Sequence, residues 1–144
     1  MENSIVNRLA YWAGIVDGEG TINISRDKKN RFRVRLTISN TSLELVELAH
    51  LEFQVGSICH ENQKPGHWKI GHKWEVNYIS AYNIIRLIYP FLIIKKKQAE
   101  LAMLFYERKF NRLPGGGHGI MTTEEIEWRE SLKQQMHLLN KKGV

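Results

Sequence analysis

Between Trp12 and Gly20 the chain reads WAGIVDGEG, and this stretch constrains the fold more than any other. Its first half has helical spacing, with the small residues Ala10, Ala13 and Gly14 on neighbouring turns of one face. Small side chains let a second helix approach closely. Its second half places two acids, Asp17 and Glu19, in a turn flanked by Gly18 and Gly20. Directly beyond, Thr21 to Arg26 alternates, with Thr21, Asn23 and Ser25 on one side and Ile22 and Ile24 on the other. A helix over residues 4 to 17, with Ser4 or Asn7 as N-cap, therefore hands over to a strand with almost no linker. A plain helix-to-strand joint accounts for the apolar pattern, but it leaves Glu19 without a purpose.

The alternation continues after a polar turn at residues 27 to 30. Phe32, Val34, Leu36 and Ile38 make one face of a strand expected over Arg31 to Ile38; Arg31, Arg33, Arg35 and Thr37 make the other. The two strands read as an antiparallel hairpin with one buried face. Leu43 to Phe53 has helical spacing, with Asn40, Thr41 or Ser42 as its cap. Strands are expected at Ser57 to Gln63 and Trp68 to Ile79, joined by a turn at Lys64 to His67. In the second of these, Trp68, Ile70, His72, Trp74, Val76 and Tyr78 share one face, and Lys69, Lys73, Glu75 and Asn77 the other. Helices follow at Ala81 to Tyr89, stopped by Pro90, and at Lys95 to Phe110. A loop around Pro114 to Gly117 precedes a last helix, opened by Thr122 and Glu125 at capping-box spacing. The order α-β-β-α-β-β-α-α-α predicts an α+β fold in one domain over residues 1–144, with a core at about 5–110 and a helical extension at about 122–140.

A net charge of +6 favours a polyanionic partner, nucleic acid before membrane. Cys59 is the lone cysteine, so no disulfide forms within the chain and a reducing compartment is expected. The N-terminus lacks the layout of a signal peptide. The most apolar run, Ile84 to Ile94, contains Arg86 and Pro90 and is too short to span a bilayer. These features predict an intracellular protein with no membrane partner. Bacterial or phage cytoplasm and an organelle, mitochondrion or chloroplast, fit equally well. Cys59, His60, His67 and His72 have no usual zinc-ligand spacing, and strand alternation puts Cys59 and His60 on opposite faces.

WAGIVDGEG resembles the signature of the LAGLIDADG homing endonucleases at all nine positions, with Glu19 where aspartate is commoner. The segment YPFLIIKKKQ, Tyr89 to Gln98, is similar to that family's Pro-aromatic-Leu stretch ahead of a lysine-rich helix start. The element order agrees, and the pattern WAGIVDGEG occurs once. The resemblance implies a single-motif endonuclease with an αββαββα core, a four-stranded antiparallel DNA-binding sheet and added C-terminal helices. It implies a homodimer that cuts both strands of a long, near-palindromic site across the minor groove, leaving short 3′ overhangs. It also implies homing of an intron. The chain begins with Met1 and ends Gly143-Val144, without an intein's terminal residues, so an intron-encoded or free-standing enzyme is expected.

Phosphodiester hydrolysis needs an activated water and a stabilised leaving oxygen, which a divalent metal held by carboxylates supplies. Mg²⁺ (or Mn²⁺) suits hard oxygen ligands and few protein carboxylates. Glu19 is the expected ligand, one acid per chain sufficing if two copies meet through the first helix. The resemblance adds the Gly18 carbonyl as a ligand and gives Asp17 a structural part, bonding backbone amides near the helix end. It places Lys95 at the active site, where a cation stabilises transition-state charge, and Ser39 or Asn40 as a water-ordering residue. Ala10, Ala13, Gly14 and Asp17 line the expected dimer interface. Asn23, Ser25, Arg31, Arg33, Arg35, Thr37, Lys69, Lys73, Glu75 and Asn77 make a basic sheet face suited to the DNA major groove. Three arginines on one strand face repel one another unless a polyanion lies against them. Two other readings compete: an RNA maturase that binds intron RNA, and a DNA-binding regulator that no longer cuts.

Overall fold

The computed structural model describes residues 2–61, 69–112 and 122–141, with backbone alone for Glu2 and residues 109–112. The expected turn at Lys64 to His67, the strand start at Trp68 and the loop at Pro114 to Gly117 lie outside the described residues. The elements run α1 (Glu2–Glu19), β1 (Gly20–Arg26), β2 (Phe32–Asn40), α2 (Leu43–Phe53), β3 (Ser57–His60), β4 (His72–Asn77), α3 (Tyr78–Ile88), a 3₁₀ turn (Tyr89–Phe91), α4 (Lys96–Arg112) and α5 (Thr123–Asn140). The strands form one antiparallel sheet in the order β1-β2-β4-β3.

The alternating pattern decides which way the sheet faces. Ile22, Ile24, Phe32, Val34, Leu36, Ile38, Trp74 and Val76 are all buried, and they pack with residues of α1 to α5 in one core. The alternate positions point the other way and stay partly accessible. The β1–β2 turn is held by Asp27, whose carboxylate accepts from the backbone of Lys29 and Arg31 and from Arg31 Nε. Such an Asx-type turn is what aspartate does well in a hairpin loop. α2 is capped as expected: Ser42 Oγ accepts from Leu45 N.

Gly20, where α1 gives way to β1, fits because it has no side chain. A Cβ there would sit 2.8 Å from both the Cα and the carbonyl oxygen of Val16. Gly20→Ala should cost about 1–3 kcal/mol by overpacking a backbone that has no rotamer to change. Thermal denaturation checks this, and an unchanged midpoint would refute it.

α5 lies antiparallel to α4 and along the outer edge of β1. At one end Arg26 pairs with Glu130 at 3.1 Å, and at the other Asn140 Nδ2 donates to Ile22 O at 2.8 Å. A helix laid on a strand edge takes up backbone groups that would otherwise be open to pairing. Between α4 and α5, Phe105 stacks on Trp128, and Arg129 Nε donates to Glu125 Oε1 at 3.0 Å within the interface.

Several expected boundaries move. α1 already begins at Glu2, so Ser4 and Asn7 lie inside it and cap nothing. Among the described residues β4 is shorter than expected: its paired register starts at His72, opposite both Asn40 of β2 and His60 of β3, and one further backbone bond, Glu61 N to Gly71 O at 2.9 Å, precedes it. Lys69 therefore lies before the strand, in an exposed bend, and not on the sheet face. At the other end Tyr78 takes a left-handed conformation, φ 58°, which breaks the strand and opens α3 three residues early. Tyr78 is consequently exposed rather than buried beside Trp74 and Val76. β2 starts at Phe32, leaving Arg31 in the turn.

Candidate active site and nucleic-acid interface

The C-terminal end of α1 and the start of α4 are joined through one side chain. Asp17 Oδ2 accepts from Ile93 N at 2.8 Å, and Oδ1 accepts from Ile94 N at 3.2 Å and Lys95 N at 2.9 Å. The amides at a helix start lack partners within the helix. Here a carboxylate from a residue more than seventy positions earlier satisfies those leading into α4. Lys95 Nζ in turn donates to Asp17 O at 2.8 Å, a favourable place for a cation because carbonyls gather at a helix C-terminus. Asp17 thus acts structurally, as expected, but the amides it bonds lead into α4 and are not those at the end of its own helix.

That clamp fixes the position of Lys95, which is half-buried and stands immediately before α4; its carbonyl accepts from Ala99 N. Two residues beyond Asp17, Glu19 is exposed and has no hydrogen-bond or ion-pair partner among the described residues. Gly18 beside it is also exposed. A solvent-facing carboxylate with no ion-pair partner among the described residues, on the same helix turn that holds a lysine, is an arrangement with no evident use in stability.

The two water-ordering candidates are separated. Gly20 pairs with Ile38, so Ser39 follows the residue opposite Gly20 and lies on the polar sheet face, exposed, paired with Lys73. Asn40 falls on the opposite face and its Oδ1 accepts from Ser42 N at 2.8 Å, a turn contact. Register therefore puts Ser39 and Lys73, and not the Asn40 side chain, on the face that runs up to Glu19.

The polar face forms ordered rows. Ser25 is opposite Arg33; Asn23, Arg35 and Asn77 form the next row; Thr21, Thr37, Glu75 and Ser57 the next; Ser39, Lys73 and Cys59 the last. Arg33 Nε donates to Ser25 Oγ at 3.0 Å. Arg35 Nε lies 2.9 Å from Glu75 Oε1 and 3.4 Å from Asn77 Oδ1. The Glu75 contact has ion-pair distance without hydrogen-bond alignment, since Glu75 Oε1 keeps no hydrogen-bond donor. Of the expected face, Arg31 and Lys69 lie outside the strands, and the other eight residues share it.

On α1, Ala10 and Gly14 are exposed, and a Cβ built on Gly14 or Gly18 meets nothing within 4 Å. Ala13 is different. It is 0% exposed and belongs to the core of its own chain, so it does not line a dimer interface. The open strip is Ala10, Gly14 and Gly18.

One group escaped the sequence reading. Lys133, His137 and Asn140 of α5 line a cleft with Thr21 and Asn23 of β1. No local pattern joins residues so far apart in the chain.

No family model matches the chain, and no curated protein matches it. Solved structures do. The homing endonuclease I-CvuI, crystallised with its target and calcium, superposes with a TM-score of 0.74 at 20% identity, over 98% of this chain and 86% of that one. The archaeal intron-encoded homing endonuclease I-Vdi141I, complexed with DNA, gives 0.73 at 17% identity, over 95% and 86%. The chain has the LAGLIDADG homing-endonuclease fold. The LAGLIDADG meganuclease I-AabMI, bound to uncleaved DNA, matches with a TM-score of 0.69 at 21% identity, over 93% of this chain and 46% of that one. In this LAGLIDADG fold the helix that carries WAGIVDGEG is α1, and its end carries Glu19, which has no partner among the described residues.

Proposed function

We propose that the chain is a site-specific double-strand DNA endonuclease of the homing type, acting as a homodimer on a long, near-palindromic duplex and dependent on Mg²⁺ or Mn²⁺. The observation that carries this reading is the end of α1: Glu19 exposed and without a partner among the described residues, with Lys95 held at the same helix end by Asp17. Support comes also from the neighbours, which were crystallised with DNA, I-CvuI in the presence of calcium and of magnesium.

The residues fit a hard divalent ion. Glu19 offers a free carboxylate and Gly18 a backbone carbonyl, both accessible. No group of three or more His, Cys, Asp or Glu side chains that could hold a metal occurs among the described residues. One chain alone is therefore short of ligands, and a second copy, the phosphates and water make up the set. A bound Mg²⁺ would neutralise phosphate charge and lower the pKa of water. Lys95 places positive charge where the phosphorane charge develops, and its anchored ammonium keeps two further donors for that purpose. Ser39 offers a hydroxyl to order water on the same face.

The homodimer explains the strip on α1. A glycine mid-helix on an exposed surface costs about 1 kcal/mol relative to alanine, and nothing in the chain itself crowds position 14. Another helix laid across Ala10, Gly14 and Gly18 gives those residues a use. Gly14→Leu should raise helix propensity, leave the chain folded by circular dichroism, and yield monomers by sedimentation. A retained dimer would refute the α1 pairing.

Intron homing follows from the same reading. Cleavage selection on a randomised duplex library with Mg²⁺ tests it. A long, two-fold-symmetric consensus is the expected product. Specific duplex binding without cutting would mark a regulator, and preference for RNA would mark a maturase. Among the described residues no helix is long and apolar enough to cross a membrane.

A further inference from the structure

We infer that His60 and His72 form a metal site of their own, apart from Glu19, for a transition ion of the Zn²⁺, Ni²⁺ or Cu²⁺ class. It stands or falls independently of the DNA-cleaving reading. By spacing alone the histidines of this segment fit no zinc pattern, and strand pairing supplies what spacing does not. His60 lies directly opposite His72 in the antiparallel register of β3 and β4. Their Nδ1 atoms are 2.7 Å apart, with ring centroids 4.9 Å apart and ring planes at 85°. One step further on, Glu61 N donates to Gly71 O. His60 and His72 are therefore a non-hydrogen-bonded pair of the ladder, the kind in which opposed side chains come closest.

Two ring nitrogens at this distance share one proton, one ring donating and the other accepting. Both rings charged would set two N–H groups head to head. No further hydrogen-bond partner for either ring occurs among the described residues. A divalent ion can take the place of the shared proton. That proton passes through water to the free Nε2 of the donor ring, and both rings then bind the ion through Nδ1 as neutral imidazoles. Bonds of about 2.0–2.1 Å to each nitrogen need the two about 3.0–3.3 Å apart, an opening of a few tenths of an ångström. His60 is exposed and His72 half-buried, so the rings have room for it and the ion has access.

Ligand chemistry separates this site from one for Mg²⁺. Imidazole nitrogen suits zinc, nickel and copper, whereas magnesium takes oxygen. No third His, Cys, Asp or Glu side chain joins the pair among the described residues, so water fills the other positions. Cys59 alternates away, onto the polar face opposite Lys73. His72 continues the face of Trp74 and Val76, so a bound ion leaves the basic rows clear. It would tie the four-residue edge strand β3 to β4.

Calorimetric titration of the metal-free full chain with ZnCl₂, in excess Mg²⁺ to occupy oxygen sites, tests this. One Zn²⁺ should bind per chain with a Kd on the order of 10 µM, weaker than four-ligand structural sites because two side chains hold it. His60→Ala and His72→Ala should each weaken binding by more than the roughly 10-fold that losing a ligand's outer hydrogen-bond partner costs. Cys59→Ser should leave it unchanged. Circular dichroism without metal checks that the variants fold. On the unmutated chain, Cu²⁺ should broaden the ring NMR signals of His60 and His72 before those of the other histidines, which locates the ion without any variant. No saturable Zn²⁺ binding, binding indifferent to both histidine substitutions, binding lost with Cys59→Ser, or broadening centred elsewhere overturns the assignment and leaves the pair as a hydrogen bond between strands.

Discussion

Glu19→Gln should slow duplex cleavage by about a thousandfold or more while leaving duplex binding equal or slightly tighter. The substitution keeps the volume and one carbonyl oxygen but removes the charge that a hard cation requires. Metal participation is worth several kcal/mol of transition-state charge stabilisation, and about 4 kcal/mol corresponds to roughly a thousandfold in rate. Binding is spared because Glu19 makes no contact that holds the fold together among the described residues. Removing a negative charge from a surface that meets phosphate can only help affinity. Single-turnover cleavage with Mg²⁺, beside equilibrium binding without divalent metal, measures both. Retained cutting would remove Glu19 from the mechanism; lost binding would make it a structural residue instead.

The second large effect belongs to Asp17. Asp17→Ala strips three backbone amides of one shared acceptor. Hydrogen bonds to a charged group contribute about 1.5–3 kcal/mol each, and stranded amides carry a desolvation cost. Because the three share one carboxylate, their losses do not simply add, and about 3 kcal/mol is expected, roughly 10 °C in the thermal midpoint. Cleavage should fall as well, since Lys95 loses the backbone anchoring that sets its position. Lys95→Met separates the two effects: it should lower cleavage with little change in stability. If Asp17→Ala melts like the parent, the clamp is not what joins α1 to α4.

Much of this was legible locally. α2 runs from Leu43 to Phe53 as its apolar spacing predicts, and Ser42 and Thr122 are the observed caps, because a cap is a contact between a residue and an amide three positions on. The hairpin faces followed from strict alternation. What failed depended on partners. The alternation at Ile70 looks like strand, but among the described residues the paired register of β4 starts at His72, opposite Asn40 of β2 and His60 of β3. Tyr78 reverses the chain through one left-handed residue that composition does not signal. Ala10, Ala13 and Gly14 look equivalent by size, yet Ala13 turns into the core while its neighbours face out. The resemblance placed Lys95 in the site and gave Asp17 a structural part, whereas their mutual contact is a fact of tertiary packing alone.

The contact between Asp17 and residues 93–95 also sets an order of events. During synthesis Glu19 leaves the ribosome long before Lys95 exists, so a partly made chain carries the acid without the cation or the clamp. Contacts this distant in sequence close late in folding, after local helices and hairpins have formed. Cutting competence should therefore appear only with the complete fold and vanish with it. In a denaturant titration, activity and global structure should be lost together, so that, on the proposed function, unfinished or damaged copies would leave DNA alone.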